Sequence, residues 1–203
     1  MGKVGTMEYR ITLEQANRQT ARYILWPVLL LAAAVFIARL SHWDFSFWTQ
    51  AHAWGLGPWL LRYVMWLLIF VAVLLAGVFV HEGLHGVAIV LLARGGWRSL
   101  EFGFDRKTLS PFAHSRVPLR AWQMTVVCLA PLVGLGLLPA VAAVMGGSVF
   151  VYALSVIFIV ASGGDMLYVG MLARYAKGRD WVRDLPDAVG FSLEGSGKEK
   201  EKE

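Results

Sequence analysis

Residues 71–93 read VAVLLAGVFVHEGLHGVAIVLLA. This stretch decides the fold. It is apolar from end to end except at His81-Glu82-Gly83-Leu84-His85. An α-helix needs about 20 mostly apolar residues to cross a bilayer. The apolar run opens near Trp59 and closes at Ala93, which gives 35 residues. That is longer than one span requires, so the helix is expected to tilt, to kink near Gly77, or to project into the interface.

Working outward, three further segments have spanning length: about 23–40, 121–145 and 149–173. Composition agrees. Hydrophobic residues make up 57% of the 203 and charged residues 16%, against about 45–50% and about 25% in ordinary soluble chains. A soluble fold of this size has no core large enough to hide that apolar surface, whereas a lipid bilayer covers it. The expected fold class is therefore an all-α membrane protein of about four transmembrane helices, with the lipid bilayer as its first partner.

The connections differ in character. Residues 41–58 hold no Lys or Arg, and Trp43, Trp48, Trp54 and Trp59 suit an interfacial aromatic belt. Residues 94–120 are polar, and Ser99-Leu100-Glu101-Phe102-Gly103-Phe104 alternates like a short strand, so a small β-hairpin is expected in this loop. Gly146-Gly147-Ser148 reads as a tight turn. Of 19 Lys and Arg, all but Arg39 and Arg62 lie in the N-terminal arm, the 94–120 loop and the segment after the fourth span. Four spans put those three segments on one face, and the positive-inside rule makes that face cytoplasmic. The expected organisation is a cytoplasmic arm over 1–22, a membrane domain over 23–175, and a charged cytoplasmic tail over 176–203 whose Lys-Glu-Lys-Glu end is disordered, in a multi-pass protein of the cell membrane. The net charge of +5 is explained by these flanks, and no nucleic-acid partner is expected. Cys128 is the single cysteine, which excludes an internal disulfide and a cysteine-built metal site.

His81, Glu82 and His85 form H-E-x-x-H. On a helix, positions i and i+4 share a face, so both imidazoles can meet one metal ion. Glu82 is too displaced around the helix for equivalent ligation, but it can reach a water beside the ion and take its proton. A charged side chain at the bilayer centre costs at least about 2.5–3.5 kcal/mol on insertion scales. Three titratable groups in one apolar helix therefore point to a site rather than to packing. The expected cofactor is one Zn2+ per chain, with iron, manganese and cobalt compatible with the same donors.

A hydrolytic zinc takes three protein ligands and leaves a position open. Asp165 is the sole acidic residue inside the other three spans. It lies nine residues before Arg174, and His85 lies nine residues before Arg94. At about 1.5 Å per residue both sit roughly 13 Å in from the same boundary. Equal depth is what shared coordination needs, so Asp165 is the expected third ligand. Ser162-Gly163-Gly164 just before it allows close backbone approach and a local helix break.

These residues resemble those of site-2 protease-type intramembrane zinc metalloproteases. The closer likeness is to a family of small bacterial and archaeal zincin membrane peptidases. In these the H-E-x-x-H helix is followed by a loop with Ala-His, a nearby proline, and an apolar helix opening on a Leu-Ala-Pro-like motif. The matching residues are Ala113-His114, Pro118 and Leu129-Ala130-Pro131, with Ser-Gly-Gly-Asp at 162–165. The likeness covers about residues 70–175. It implies peptide-bond hydrolysis in or near a membrane segment of a protein or peptide substrate, with His81, His85 and Asp165 on the metal and Glu82 catalytic. It also singles out His114 as a substrate or gating contact. Site-2 proteases carry Asn-Pro-Asp-Gly or Leu-Asp-Gly around the third ligand. Gly164-Asp165-Met166 departs from that, so the substrate-clamping role of the flanking residues does not carry over.

Pro131, Gly134, Gly136 and Pro139 load the third span with kink-formers that either open a wet path or simply pack against other helices. Two readings compete with the protease: a non-proteolytic membrane protein that binds or transports a metal through the same residues, and a regulatory subunit with a vestigial site. The intact His81, Glu82, His85 and Asp165 argue against the last.

Overall fold

The computed structural model describes residues 7–46, 55–105, 110–185 and 189–194. Trp48, Trp54 and the Lys-Glu-Lys-Glu end lie outside the described residues.

Strand β1 (Met7–Ile11) leads into helix α1 (Leu13–Thr20). Thr12 caps α1 by accepting from the Gln15 backbone N–H while the Gln15 side chain bonds back to Thr12, a reciprocal capping box. A π-helical turn at Ala21–Leu25 continues into α2 (Trp26–Ala38). Together these make an apolar helix over Glu14–Ala38, longer at its N-terminal side than the expected 23–40. Helix α3 (Leu56–Leu92) runs 37 residues without a break. The helical hydrogen-bonding pattern runs through Gly77 without interruption. Gly77 takes the ring of Phe158, whose Cε1 would stand 2.8 Å from any added Cβ. At about 1.5 Å per residue α3 is roughly 55 Å long, well beyond a hydrocarbon core of about 30 Å.

The third span is α4 (Ala121–Pro131), a π-helical turn at Leu132–Leu137, and α5 (Leu138–Gly146). Proline has no N–H to give the ladder, and the widened turn directly follows Pro131. Gly134 and Gly136 face the side chains of Leu84 and Ile159, so packing is the role the structure gives them. Gly147 ends α5 at φ 73, a left-handed position that suits glycine. Helices α6 (Val149–Ala161) and α7 (Gly163–Tyr175) meet at Ser162 with a bend of 44°. By length and apolarity, three helices among the described residues qualify as candidate membrane spans, and the bent α6–α7 pair is a fourth if it crosses as one span.

Trp43 departs from the expected belt. It is 5% exposed, packs on Phe36 and Tyr152, and donates its ring N–H to the Phe36 carbonyl at 2.8 Å.

The expected hairpin is present as β2 (Leu100–Asp105) and β3 (Ser110–Ser115), antiparallel with Phe102 opposite Ala113. A second sheet was not legible in the sequence. Strands β4 (Leu119–Arg120), β5 (Trp181–Asp184) and β6 (Val189–Glu194) join β1 in the antiparallel order β1-β6-β5-β4. Part of the segment read as a charged tail is thus core: Val182 and Phe191 are wholly buried. They pack with Ile89, Leu119, Met124 and Leu172 in one cluster, which ties the sheet to the ends of α3, α4 and α7.

Candidate metal centre

Helix α3 delivers His81 and His85 one turn apart on one face, their rings 5.0 Å apart between centroids. The first turn of α7 delivers Asp165. His81 Nε2 stands 3.3 Å from Asp165 Oδ2, and His85 Nε2 stands 3.5 Å from Oδ1. All three donors lie within 4.8 Å of one another. The sequence expected these residues at equal depth, and the fold brings them together.

The donor set fits a metal. Two ligands each about 2.1 Å from a tetrahedral ion stand about 3.4 Å apart. A charge-assisted hydrogen bond would draw the same atoms to about 2.7–2.9 Å. The observed 3.3 and 3.5 Å match the edges of a coordination tetrahedron better than a simple ion pair. His85 Nδ1 lies 2.9 Å from the Val127 carbonyl oxygen. A carbonyl only accepts, so Nδ1 carries the proton and Nε2 keeps its lone pair toward Asp165. Such outer partners fix the tautomer and aim of metal-binding histidines. Sequence reading missed Val127, since a backbone carbonyl leaves no mark in residue type.

Two close approaches hold this geometry. Gly86, one residue past His85, lies under the hairpin, with a Phe102 ring carbon 2.7 Å from where a Cβ would stand. Gly163, two residues before Asp165, lies under α1, with Thr20 Cγ2 2.6 Å from such a Cβ. Glycine permits both contacts because it has no side chain. This is the close approach that Ser162-Gly163-Gly164 suggested.

Glu82 is beside the donors but turned to the hairpin. Its Oε2 accepts the Ala113 backbone N–H at 3.0 Å. That amide points away from β2, so the free edge of β3 faces the centre. The next residue, His114, donates from Nδ1 to Asp184 Oδ2 at 2.7 Å. The Asp184 carboxylate raises the His114 pKa above the ordinary 6.5, and burial only partly opposes this. Asp184 belongs to β5, in the stretch read as tail, and no local signal in the sequence pointed to it.

A cavity of about 990 Å³ opens in front of these groups. Glu82, His85 and Asp165 line it together with residues of β1, β3 and the adjoining ends of β5 and β6.

Residues 74–179 match the model of a protein family described as "Putative zincin peptidase". No curated protein and no solved structure matches the chain. The match covers more than half of the chain and contains His81, Glu82, His85, His114 and Asp165, so the chain belongs to that family.

Proposed function

We propose that this member of the zincin peptidase family is an intramembrane zinc metalloprotease, which hydrolyses a peptide bond in or near a membrane segment of a protein substrate. One observation carries the reading: Nε2 of His81, Nε2 of His85 and the Asp165 carboxylate converge, with Glu82 beside them on the wall of a large cavity.

His81, His85 and Asp165 would hold the zinc. When bound, zinc polarises a scissile carbonyl and lowers the pKa of water toward neutrality. Glu82 takes the proton of the attacking water and returns it to the leaving amine. One Glu82 oxygen is occupied by the Ala113 N–H, which fixes the carboxylate and leaves the other oxygen for the proton. A helical amide is shielded by its own hydrogen bonds, so the substrate must be extended to be cut. The β3 edge offers such a chain strand pairing past Glu82, with His114 one residue further along as a contact or gate. The helix bundle orders these parts around the cavity.

The same reading places the protein in the cell membrane with both termini cytoplasmic. Two observations support this orientation: the distribution of Lys and Arg, and the pairing of Met7 with Leu193, which keeps both terminal segments on one side. In a Cys128→Ser background, a cysteine at Lys177 should resist an impermeant maleimide on intact cells while one at Asp44 reacts. The reverse pattern would invert the topology.

The primary test is zinc content of the detergent-purified protein. About one zinc per chain in wild type and a loss in Asp165→Ala are expected. Wild type that stays metal-free after zinc loading would sink the reading. The alternative of a metal-binding or metal-transport protein predicts that Glu82→Gln leaves the function intact.

A further inference from the structure

The pair formed by His114 and Asp184 joins two sheets at the cavity. Asp184 closes β5, where it stands opposite Phe191 of β6, and Phe191 in turn stands opposite Tyr9 of β1. Partners in an antiparallel ladder share a face, so Asp184 lies on the face that carries Phe191. That face is the inner one. Phe191 is wholly buried, and its ring packs 5.7 Å from the ring of Tyr168 on α7. Asp184 therefore points toward the helices, and it lines the cavity. Its Oδ1 accepts the Leu185 backbone N–H at 3.1 Å, which fixes the carboxylate, and its Oδ2 meets His114 Nδ1 at 2.7 Å.

This bond brings the His114 ring to the same side. His114 follows Ala113, whose backbone N–H bonds Glu82 at 3.0 Å. Neighbouring Cα atoms are about 3.8 Å apart, so the imidazole and the Glu82 carboxylate are anchored side by side on one strand. Phe112 also packs against the His114 ring, with centroids 5.1 Å apart. Glu82, Asp165, Phe112, His114 and Asp184 all line the same cavity.

A carboxylate only accepts, so Nδ1 carries the proton of the bond and Nε2 is the ring nitrogen that can meet a ligand. Asp184 on β5, Glu82 on α3 and Glu101 on β2 all favour the charged ring. Burial opposes them, and the His114 pKa stands above 6.5. The charged form is thus favoured toward neutral pH, and in it Nε2 is a donor too. A purely structural reading makes the pair a staple between the hairpin and the larger sheet. The His114 side chain is 45% exposed, and pairs so solvated hold structure together only weakly.

We propose that His114 is a catalytic residue of this site: its Nε2–H donates a hydrogen bond to the scissile carbonyl oxygen as that oxygen gains negative charge, and Asp184 is the residue that positions it. This rests on the catalytic reading above. Attack forms the bond from water oxygen to the carbonyl carbon and moves the π pair onto the carbonyl oxygen. His114 holds that oxygen without giving up its proton. Glu82 carries the water's proton to the amine nitrogen as the carbon–nitrogen bond breaks and the π pair returns. One preorganised donor to such an oxyanion contributes about 10²–10³-fold in kcat.

The test uses the full-length, zinc-loaded protein in nanodiscs and a fluorescent mixture of phosphinic peptides, randomised on both sides of a phosphinate that replaces the scissile amide. The phosphinate is tetrahedral and anionic, as the carbonyl group becomes during attack. Binding is read by anisotropy across pH 6 to 9. Wild type should bind at least tenfold tighter at pH 6 than at pH 9. His114→Ala should lose at least tenfold in affinity at pH 6 and most of that pH dependence, with zinc content unchanged. Asp184→Asn should move the midpoint of the dependence to lower pH, which loss of a staple would not do. In wild type the mixture should also shift the His114 ring nitrogen signals in an NMR spectrum, a check that needs no variant to fold. No binding of the mixture to wild type, affinity of His114→Ala within threefold of wild type at pH 6, an unmoved midpoint in Asp184→Asn, or unshifted His114 signals overturns the proposal. If the mixture binds through His114 but wild type cuts no peptide, the failure lies with the catalytic reading, and the His114 contact to a tetrahedral anion holds. If wild type cuts a peptide and His114→Ala cuts it with kcat within threefold, the catalytic reading holds and this proposal fails.

Discussion

Glu82→Gln separates chemistry from architecture at this site. Glutamine has the shape of glutamate, and its Oε1 can accept the Ala113 N–H that now bonds Glu82 at 3.0 Å. The three metal donors are untouched, so zinc content should stay near one per chain. The structural cost is the change from a charged to a neutral acceptor. Bonds to charged groups contribute about 1.5–3 kcal/mol and neutral ones about 0.5–1.5, so the loss is about 1 kcal/mol. The chemical cost is larger. A positioned general base contributes about 10²–10⁴-fold, which is roughly 2.7–5.4 kcal/mol of barrier at 1.36 kcal/mol per tenfold. Turnover of a quenched fluorescent substrate should therefore fall at least a hundredfold. The thermal midpoint in detergent and the metal content should barely move. Activity within threefold of wild type would remove Glu82 from the chemistry. Loss of zinc in the same variant would make Glu82 part of the metal cage and refute the assignment of roles.

Two glycines near Asp165 make a paired prediction. Gly163→Leu drives a side chain into Thr20, should push α1 off α7, and should cost more than half of the bound zinc. Gly164→Ala meets nothing within 4 Å and should retain it, and equal zinc in both variants would count against this packing. His114 carries a pH signature. Asp184 raises its folded pKa above 6.5, so the stabilisation by this pair is whole below about 6.5 and fades as pH rises through the raised value. The pair is partly solvated, so its worth is about 0–1 kcal/mol. Asp184→Asn should lower the His114 midpoint in an NMR titration, and an unmoved midpoint would show that the carboxylate does not set it.

The long apolar helices and the cluster of candidate metal donors were legible because each rests on local information. Span lengths follow from apolar runs, and the pairing of His81 with His85 follows from helical periodicity. Asp165 was found by a weaker but still physical rule, equal depth beneath the same basic boundary. It lies 3.3 and 3.5 Å from the two histidines, and that rule works because helices that share a boundary bring residues of equal depth to one level. The hairpin was legible too, since alternation in 99–104 is a local pattern.

The four-stranded sheet escaped for the opposite reason. Its register joins Met7–Ile11 to Val189–Leu193, a pairing between the two ends of the chain. Charges at Arg179, Asp180, Arg183 and Asp184 made that stretch read as solvated. The alternation that matters is interleaved with them: Val182 and Phe191 point inward, while Arg183 bonds Glu194 on the outer side. Missing the sheet meant missing those of its residues that line the cavity. The bundle supplies His81, His85 and Asp165, and the C-terminal strands supply Asp184 to the cavity beside them. The H-E-x-x-H helix is therefore a local signal, whereas the strands that wall the cavity beside it come from pairing that only the fold reveals.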